Sequence, residues 1–265
     1  MNSGSAGHWR LAWPARWTGQ QRSSAALSAG AAALVGVLWG LAWPLSWAPE
    51  PIGSNAPLFA EGARITVALT AVAGTVGVLL GVLAALGKLS RLLPLRWLAS
   101  GYIGVIRGTP LLVQILFVFF ALPELVPWLR LDEFSAACVA LALNVGAYNA
   151  EAIRAGLLAV PRGQIEAAES LALSPWQIFW HVRFPQAIKI ALPPLVNNAV
   201  ALLKDSSLAY AVGVVELTNV GSRIQAATFK PTPTLITTAL IYLLLTALLT
   251  QMSDAIERRF EGSHR

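Results

Sequence analysis

The sequence predicts an all-α transmembrane protein with six membrane-spanning helices. Only 12% of the 265 residues are charged and 56% are hydrophobic, whereas a soluble domain carries about 25% charged residues. Three runs contain no Asp, Glu, Lys or Arg, and each is long enough to cross a hydrocarbon core of roughly 30 Å, which takes about 20 helical residues. These runs are Ala25–Trp47, Ile65–Gly87 and Pro231–Ser253.

Three further apolar segments are interrupted by charges or prolines and complete the six predicted helices. They run from Tyr102 to Leu122, from Phe134 to Leu158 and from Gln186 to Val215. A charge at membrane depth costs about 2.5–3.5 kcal/mol, so each charged residue in these segments needs a structural or functional role. The first apolar run exceeds the 7–15 residues of a signal-peptide core, so we expect a retained helix rather than a cleaved leader.

The distribution of basic residues orients the helices, because cytoplasmic segments of membrane proteins are enriched in Lys and Arg. With a cytoplasmic N-terminus, the inside segments hold Arg10, Arg16, Arg22, Lys88, Arg91, Arg96, Arg162, Arg183, Arg258, Arg259 and Arg265. The outside segments hold Arg130, Arg223 and Lys230 beside Glu50, Glu124, Asp132, Glu133 and Glu216. We therefore expect both termini and the loop around residues 161–185 on the cytoplasmic side.

Several classes of function find no support in the sequence. The net charge of +6 comes from scattered basic residues at the ends of apolar segments, which does not indicate nucleic-acid binding. One cysteine and three dispersed histidines provide neither a disulfide framework nor a metal-site pattern. No nucleophilic triad is recognisable, so we predict no catalytic, cofactor-binding or metal-binding residues and no enzyme activity in this chain.

A polar segment between the fourth and fifth predicted spans reads as two short helices. The first spans about Gln164 to Ala172. The second begins at Ser174-Pro175-Trp176-Gln177, where a serine N-cap, a proline at the first position and a glutamine three residues after the cap form a start signal. We expect Pro185 to end this second helix. An ordinary pair of amphipathic helices lying on the bilayer would also fit.

Four ordered motifs give the chain a family resemblance. The polar segment resembles the EAA loop of ABC-transporter permeases: Glu166, Ala167 and Ala168 match, as does Pro185, whereas Ala172 occupies the glycine position. Glycine there would ease a positive-φ turn, so either Ala172 is strained by about 1 kcal/mol or the first helix ends later. The segments IRGTPLLVQILFVFFALP, GAYNAEAIRAGL, GQIEAA and KDSSL resemble the polar amino-acid uptake branch of this family, the histidine, glutamine and arginine type.

The resemblance implies a type I ABC importer permease fold with a cytoplasmic coupling helix. Residues 1–57 would form a basic tail, an extra first helix and a short outside loop, residues 58–261 the permease core, and residues 262–265 a cytoplasmic tail. The coupling loop, at about 161–185, would dock on an ATPase. The residues expected to couple to it are Glu166, Ala167, Ala168, Ala172, Ser174 and Pro185.

The resemblance also implies the partners of the chain and its location in a bacterial inner membrane. A cytoplasmic ATPase dimer would use ATP and Mg²⁺, an extracytoplasmic binding protein would deliver a polar amino acid, and a second permease subunit, identical or homologous, would complete the path through the lipid. An ion-gradient-driven secondary transporter that needs no ATPase is the main alternative. A membrane scaffold that transports nothing is a weaker one.

Polar residues inside the predicted spans are candidates for a substrate path or its gate. They are Arg107, Asn144, Tyr148, Asn197, Asp205 and Ser206. Arg107 could gate the path, contact a substrate carboxylate, or simply reach the headgroups. Asp205 could contact a substrate ammonium group or form an ion pair with Lys204 or Arg154. For Glu151 and Arg154, at i and i+3, we expect a mutual ion pair, while Gly36/Gly40 and Gly77/Gly81 would permit close helix packing.

Overall fold

The computed structural model describes residues 19–261, which form a bundle of α-helices. The predicted tails 1–18 and 262–265, with Arg10, Arg16 and Arg265, lie outside the described residues. The first six helices are α1 (Gly19–Gly40), α2 (Ala42–Ser46), α3 (Ala56–Leu89), α4 (Leu93–Gly108), α5 (Leu111–Leu116) and α6 (Leu122–Leu125). The others are α7 (Glu133–Leu158), α8 (Arg162–Ser170), α9 (Pro175–Ile178), α10 (Phe184–Asp205), α11 (Leu217–Thr228) and α12 (Pro231–Glu261).

Helix length and composition confirm the predicted number of spans when one bent pair is counted as a single span. Five helical stretches are long and apolar enough to cross a membrane, and the bent pair of α4 with the stretch Leu111–Leu125 makes the sixth. The five are Ser23–Ser46, Ala56–Leu89, Glu133–Leu158, Pro175–Val212 and Pro231–Phe260.

The third span differs from the single helix expected over Tyr102–Leu122. Helix α4 begins earlier, at Leu93, and α5 leaves it at an angle of 111°. Thr109 and Pro110, which separate the two helices, both have extended backbone. The cause is local: a proline has no N–H to continue the helical ladder, and it forces the residue before it out of the helical region.

The expectation that Pro185 ends a helix is wrong. Helical structure continues from α9 through a π-helical turn at Phe179–Arg183 into α10, and Pro185 lies in the first turn of α10. Proline is tolerated where the helical register changes, because the preceding wide turn already alters the backbone ladder. There Phe184 donates its N–H to the carbonyl of Phe179, five residues back. The polar segment therefore continues into α10 without an intervening loop.

Helices α3 and α7 form the centre of the bundle, and glycines let them approach closely. A Cβ added at Gly77 would lie 2.3 Å from Val145 Cγ1, and one added at Gly81 would lie 2.7 Å from Asn149 Cβ. This confirms the packing role predicted for Gly77/Gly81. At Gly36 and Gly40 of α1 an added Cβ would meet nothing within 4 Å, so that pair makes no close helix contact within the described chain.

A buried polar network joins α3, α11 and α12. The Glu216 carboxylate has no exposed surface and accepts hydrogen bonds from the backbone N–H groups of Thr218 and Asn219 and from the Tyr242 hydroxyl, at 2.7, 2.9 and 2.8 Å. Burial raises the pKa of the Glu216 carboxyl above its ordinary value, although these hydrogen bonds oppose the shift. The hydroxyl of Thr66 on α3 accepts a hydrogen bond from the backbone N–H of Leu217, the first residue of α11. Glu216 therefore caps α11 and fixes it to α12.

Candidate substrate path and coupling loop

The second helix of the polar segment begins as the sequence predicts. Ser174 is the N-cap: its hydroxyl accepts a hydrogen bond from the N–H of Gln177 at 3.3 Å. The side-chain oxygen of Gln177 accepts the N–H of Ser174 at 2.9 Å, which completes the capping box. These two bonds satisfy backbone donors that the start of a helix would otherwise leave exposed.

Ala172, which stands where the EAA motif has glycine, has the strained backbone conformation expected for alanine at a positive-φ turn. Its φ of 55° lies in the left-handed region. The N–H of Ala172 donates to the carbonyl of Glu169 at 2.9 Å, and the N–H of Leu173 donates to that of Ala168 at 3.2 Å. This pair of bonds is a Schellman motif, so the first helix ends at Ser170 and the turn is set by backbone hydrogen bonds.

The residues predicted to couple to an ATPase fall into two groups. The side chains of Glu166, Ala167, Ala172, Ser174 and Pro185 are exposed. Ala168 is only 5% exposed, so it packs against the rest of the chain and cannot contribute much to an outer surface. The surface around the turn between α8 and α9 therefore exposes the carboxylates of Glu166 and Glu169 and several small residues, together with the apolar side chains of Leu171 and Trp176.

Sequence reasoning missed the aromatic cluster directly after this turn. Trp176 packs edge-to-face on Trp180 at 5.5 Å between ring centroids, and Trp180 contacts Phe184 at 5.0 Å. Phe179 contacts all three rings. The spacing of four residues between Trp176, Trp180 and Phe184 was the available signal. The cluster stiffens the helical stretch that connects the turn to the membrane.

The bend between α4 and α5 is closed by Gln114, which the sequence analysis did not single out. Its side-chain amide nitrogen lies 2.7 Å from the Ile106 carbonyl oxygen and 2.9 Å from the Thr109 hydroxyl. Its amide oxygen accepts a hydrogen bond from the side-chain amide of Asn144 at 3.0 Å. Asn144 is thus tied to the bend rather than free in a cavity.

Arg107 and Tyr148 are brought together from two helices. The guanidinium of Arg107, in the last turn of α4, lies 5.2 Å from the centroid of the Tyr148 ring on α7, which is within the range of a cation–π contact. Tyr148 remains 41% exposed and Arg107 is exposed as well. The pair therefore lies at an open surface of the described chain.

The expected Glu151–Arg154 ion pair is confirmed, and it includes a third member. Glu151 accepts hydrogen bonds from Arg154 Nε at 2.9 Å and Arg154 Nη2 at 2.7 Å. Its other oxygen binds the ammonium group of Lys88 in the last turn of α3. One carboxylate thus links two cations and holds the end of α3 against α7.

The candidates on α10 differ in their surroundings. Ser206 is fully buried, and its hydroxyl donates to the Leu203 carbonyl at 2.8 Å. Asn197 is exposed. Asp205 is partly buried, and within residues 19–261 it forms no ion pair and no hydrogen bond. Within the described chain Asp205 makes no ion pair at contact distance with Lys204 or Arg154, although Lys204 attracts it electrostatically, and the Arg154 guanidinium is engaged by Glu151 instead.

Two groups of predicted path residues can now be distinguished. Arg107, Asn144 and Tyr148 cluster where α4 and α5 meet α7. Asn197, Asp205 and Ser206 lie on α10 and the 3₁₀ turn that follows it, and that turn packs against both α5 and α7. No hydrogen bond or ion pair links the two groups in the described part of the chain.

Comparison with known proteins agrees with this architecture. A family model described as binding-protein-dependent transport system inner membrane component matches residues 77–262. The chain is 38% identical over 206 residues to the L-cystine transport system permease protein TcyB of Bacillus subtilis (strain 168), covering 77% of this chain and 87% of that protein. It is 37% identical over 205 residues to the glutamine transport system permease protein GlnP of Escherichia coli (strain K12), covering 77% and 94%.

A solved structure confirms the predicted type I importer permease fold. The crystal structure of an amino acid ABC transporter with histidines is 41% identical in sequence and covers 78% of this chain and 95% of its own, with a TM-score of 0.73. Since the family model also spans more than half of the residues, the resemblance seen in the sequence motifs is confirmed. The chain belongs to the family of binding-protein-dependent transport system inner membrane components, the permease subunits of ABC importers.

Proposed function

We propose that this chain carries a polar amino acid across the bacterial inner membrane by alternating access, driven by a separate ATPase that uses ATP and Mg²⁺. The named relatives transport cystine and glutamine, which supports this class of substrate. Two permease subunits, two ATPase subunits and an extracytoplasmic binding protein make up the importer. The distribution of basic residues supports a cytoplasmic location for both termini and for the loop at 161–185.

The observation that carries the proposal is the exposed turn between α8 and α9. This segment lies between two membrane spans, yet the side chains of Glu166, Ala167 and Ala172 are exposed. Its geometry is nevertheless fixed by the Schellman motif and the capping box. A rigid, exposed projection with a continuous helical connection into α10 suits the transfer of force from an ATPase to the bundle.

In this proposal Asp205 contacts the ammonium group of the substrate, and Arg107 lies at the gate or contacts its carboxylate. The Asp205 carboxylate is partly buried and makes no ion pair at contact distance with a described residue, so a substrate ammonium would supply a direct partner beside the nearby charge of Lys204. A buried charge is costly unless it is paired. Asn197 lies about two helical turns before Asp205 and would line the same part of the path, whereas Ser206, next to Asp205, is fully buried.

The variant Glu166→Lys tests the coupling role. Reversing the charge on the exposed turn should weaken ATPase binding, because rim charges set electrostatic complementarity at interfaces. The expected result is reduced co-purification of the ATPase with a permease that still folds. Asp254→Lys, which reverses an exposed charge on α12, is the matched control. Unchanged ATPase binding and uptake in the Glu166 variant would contradict the assignment.

A further inference from the structure

The bend between α4 and α5 leaves carbonyl groups without their usual partners. In a continuous helix the Ile106 carbonyl would accept the N–H of residue 110, but that residue is Pro110 and has no N–H. The Val105 carbonyl, one residue earlier, also lies at the end of the helix, and it accepts a hydrogen bond from the Thr109 hydroxyl at 2.9 Å. Within a membrane span, where water is scarce, such groups need partners from the protein itself.

Gln114 supplies the donor that Pro110 lacks. Its amide nitrogen is 2.7 Å from the Ile106 carbonyl oxygen and also reaches Thr109, at 2.9 Å from the hydroxyl and 3.1 Å from the carbonyl oxygen. The side chain is only 9% exposed. A glutamine one turn beyond the proline therefore stabilises the bent backbone in place of the helical hydrogen bond.

The other end of the same amide connects the bend to α7. The Gln114 oxygen accepts the Asn144 side-chain amide at 3.0 Å, and Tyr148, one turn further along α7, lies under the Arg107 guanidinium. Only three residues separate the end of α7 at Leu158 from the start of α8 at Arg162. A displacement of α7 by the coupling loop would thus act on the bend through Asn144 and Gln114.

We propose that Gln114 is a positioning residue for transport: it holds the bend at Thr109–Pro110 and moves Arg107 together with α7. This inference rests on the proposed function, since it concerns the same path and the same loop. Gln114 does not contact the substrate. Through its bonds to Asn144 and to the bend, Gln114 makes the orientation of Arg107 follow the position of α7. The position of α7 in turn depends on the state of the ATPase.

The test uses the complete importer, reconstituted in proteoliposomes with its ATPase and binding protein. Gln114→Leu removes both the donor and the acceptor at similar side-chain volume. We expect uptake to fall by about tenfold, within the range typical of coupling between sites, while ATP hydrolysis stimulated by the loaded binding protein stays near the wild-type rate. Gln251→Leu, at an exposed position on α12, is the matched control and should transport normally.

A rescue experiment separates positioning from simple stabilisation. In the double variant Pro110→Ala with Gln114→Leu, the new N–H at position 110 can satisfy the Ile106 carbonyl. If Gln114→Leu lowers the unfolding temperature of the complex, we expect this double variant to restore it. Uptake should stay low, because the bend and its link to Asn144 are lost. Recovery of both would show that Gln114 only satisfies a carbonyl and would overturn the proposal.

Other outcomes are also decisive. Wild-type uptake by Gln114→Leu would overturn the proposal. If that variant does not assemble, Gln114→Asn replaces it: the amide is retained but falls one methylene short of Ile106, so the same loss of uptake is expected and normal uptake contradicts it. A wild-type complex that imports no amino acid would contradict the proposed function rather than the role of Gln114.

Discussion

The polar residues singled out on α7 and those singled out as path candidates on α10 have different surroundings. On α7, Asn144 binds Gln114, Tyr148 contacts Arg107, and Glu151 binds two cations. On α10, the Asp205 side chain has no hydrogen bond and no ion pair within residues 19–261 and Asn197 is exposed, although the neighbouring Asn198 donates to Asn149 of α7 at 2.9 Å. Paired groups hold helices together, whereas unpaired groups remain available to something outside the chain.

The same contrast applies to the polar segment that contains α8 and α9. Its backbone is fixed by internal hydrogen bonds at Ser174 and Ala172, while the Glu166 side chain is exposed on the outer face. Internal hydrogen bonds thus fix the backbone of this segment, while the Glu166 carboxylate stays accessible to a partner. Variants of the unpaired and of the paired groups test this division.

Asp205→Asn should have the largest effect on transport. Removing one charge-assisted contact to a substrate ammonium group would reduce uptake by about tenfold or more, given a loss of roughly 1.5–3 kcal/mol. Assembly should be normal because no described residue pairs with Asp205. The measurement is uptake of labelled amino acid by cells or proteoliposomes that contain equal amounts of complex.

The matched control for this prediction is Asp254→Asn, at an exposed position near the end of α12. It makes the same chemical change at a distance from α10 and should leave uptake unchanged. If Asp205→Asn transports as well as the control, Asp205 is neither a ligand nor part of the gate. The unpaired carboxylate on α10 would then have no functional role in this account.

Glu151→Gln should act on stability rather than on substrate contact. It leaves Lys88 and Arg154 close together without their shared carboxylate, in a region where these side chains are no more than 30% exposed. We expect a loss of about 2 kcal/mol, between the values for exposed and fully buried pairs. Thermal unfolding of the purified subunit would measure it. Lys88→Met, which leaves the Arg154 pair intact, should cost less, and equal losses would contradict a shared link.

Tyr242→Phe removes one of the hydrogen bonds to the Glu216 carboxylate and should cost about 1 kcal/mol at neutral pH. Because burial raises the pKa of Glu216 in the folded state, the stability it contributes is present at low pH and is lost as pH rises through that raised value. The hydrogen bond opposes this shift, so the variant should lose less stability at pH 5 than at pH 8.

Thermal unfolding at both pH values measures the difference. Tyr210→Phe is a suitable control, because Tyr210 is 47% exposed and should change stability little at either pH. An equal loss for Tyr242→Phe at pH 5 and pH 8 would indicate that Glu216 does not titrate between them.

Ala172→Gly should have the smallest effect and the opposite sign. The left-handed φ of 55° is strained for alanine and unstrained for glycine, so the variant should gain about 0.5–1 kcal/mol in stability while leaving Glu166 exposed. Thermal unfolding together with ATPase co-purification would check both points. A loss of stability would mean that the Schellman turn is not formed at this position.

The sequence was sufficient for the parts of the fold that depend on local pattern. Uncharged runs predicted the spans, Ser174 and Gln177 predicted a helix start, and the i, i+3 spacing predicted the Glu151–Arg154 pair. The Glu151 link to Lys88 was missed because it joins residues 63 positions apart. The buried contact of Glu216 with Tyr242 depends on how α11 packs on α12, which no local pattern specifies.

Gln114 is an intermediate case. Pro110 leaves the Ile106 carbonyl without a donor, and a glutamine one turn later in an apolar run is a natural replacement, so a search for missing helix donors would have found it. Pro185 shows the reverse error. Read locally it ends a helix, but the π-helical turn before it lets the helix continue.

The central claim is that this permease works with an ATPase bound at the turn between α8 and α9. The most direct measurement is purification of the tagged chain from its native membrane in mild detergent, followed by mass spectrometry of the proteins that elute with it. The account predicts an ATPase in stoichiometric amount, and its loss with Glu166→Lys. A chain that elutes intact and alone, while still transporting amino acid after reconstitution, would contradict the account.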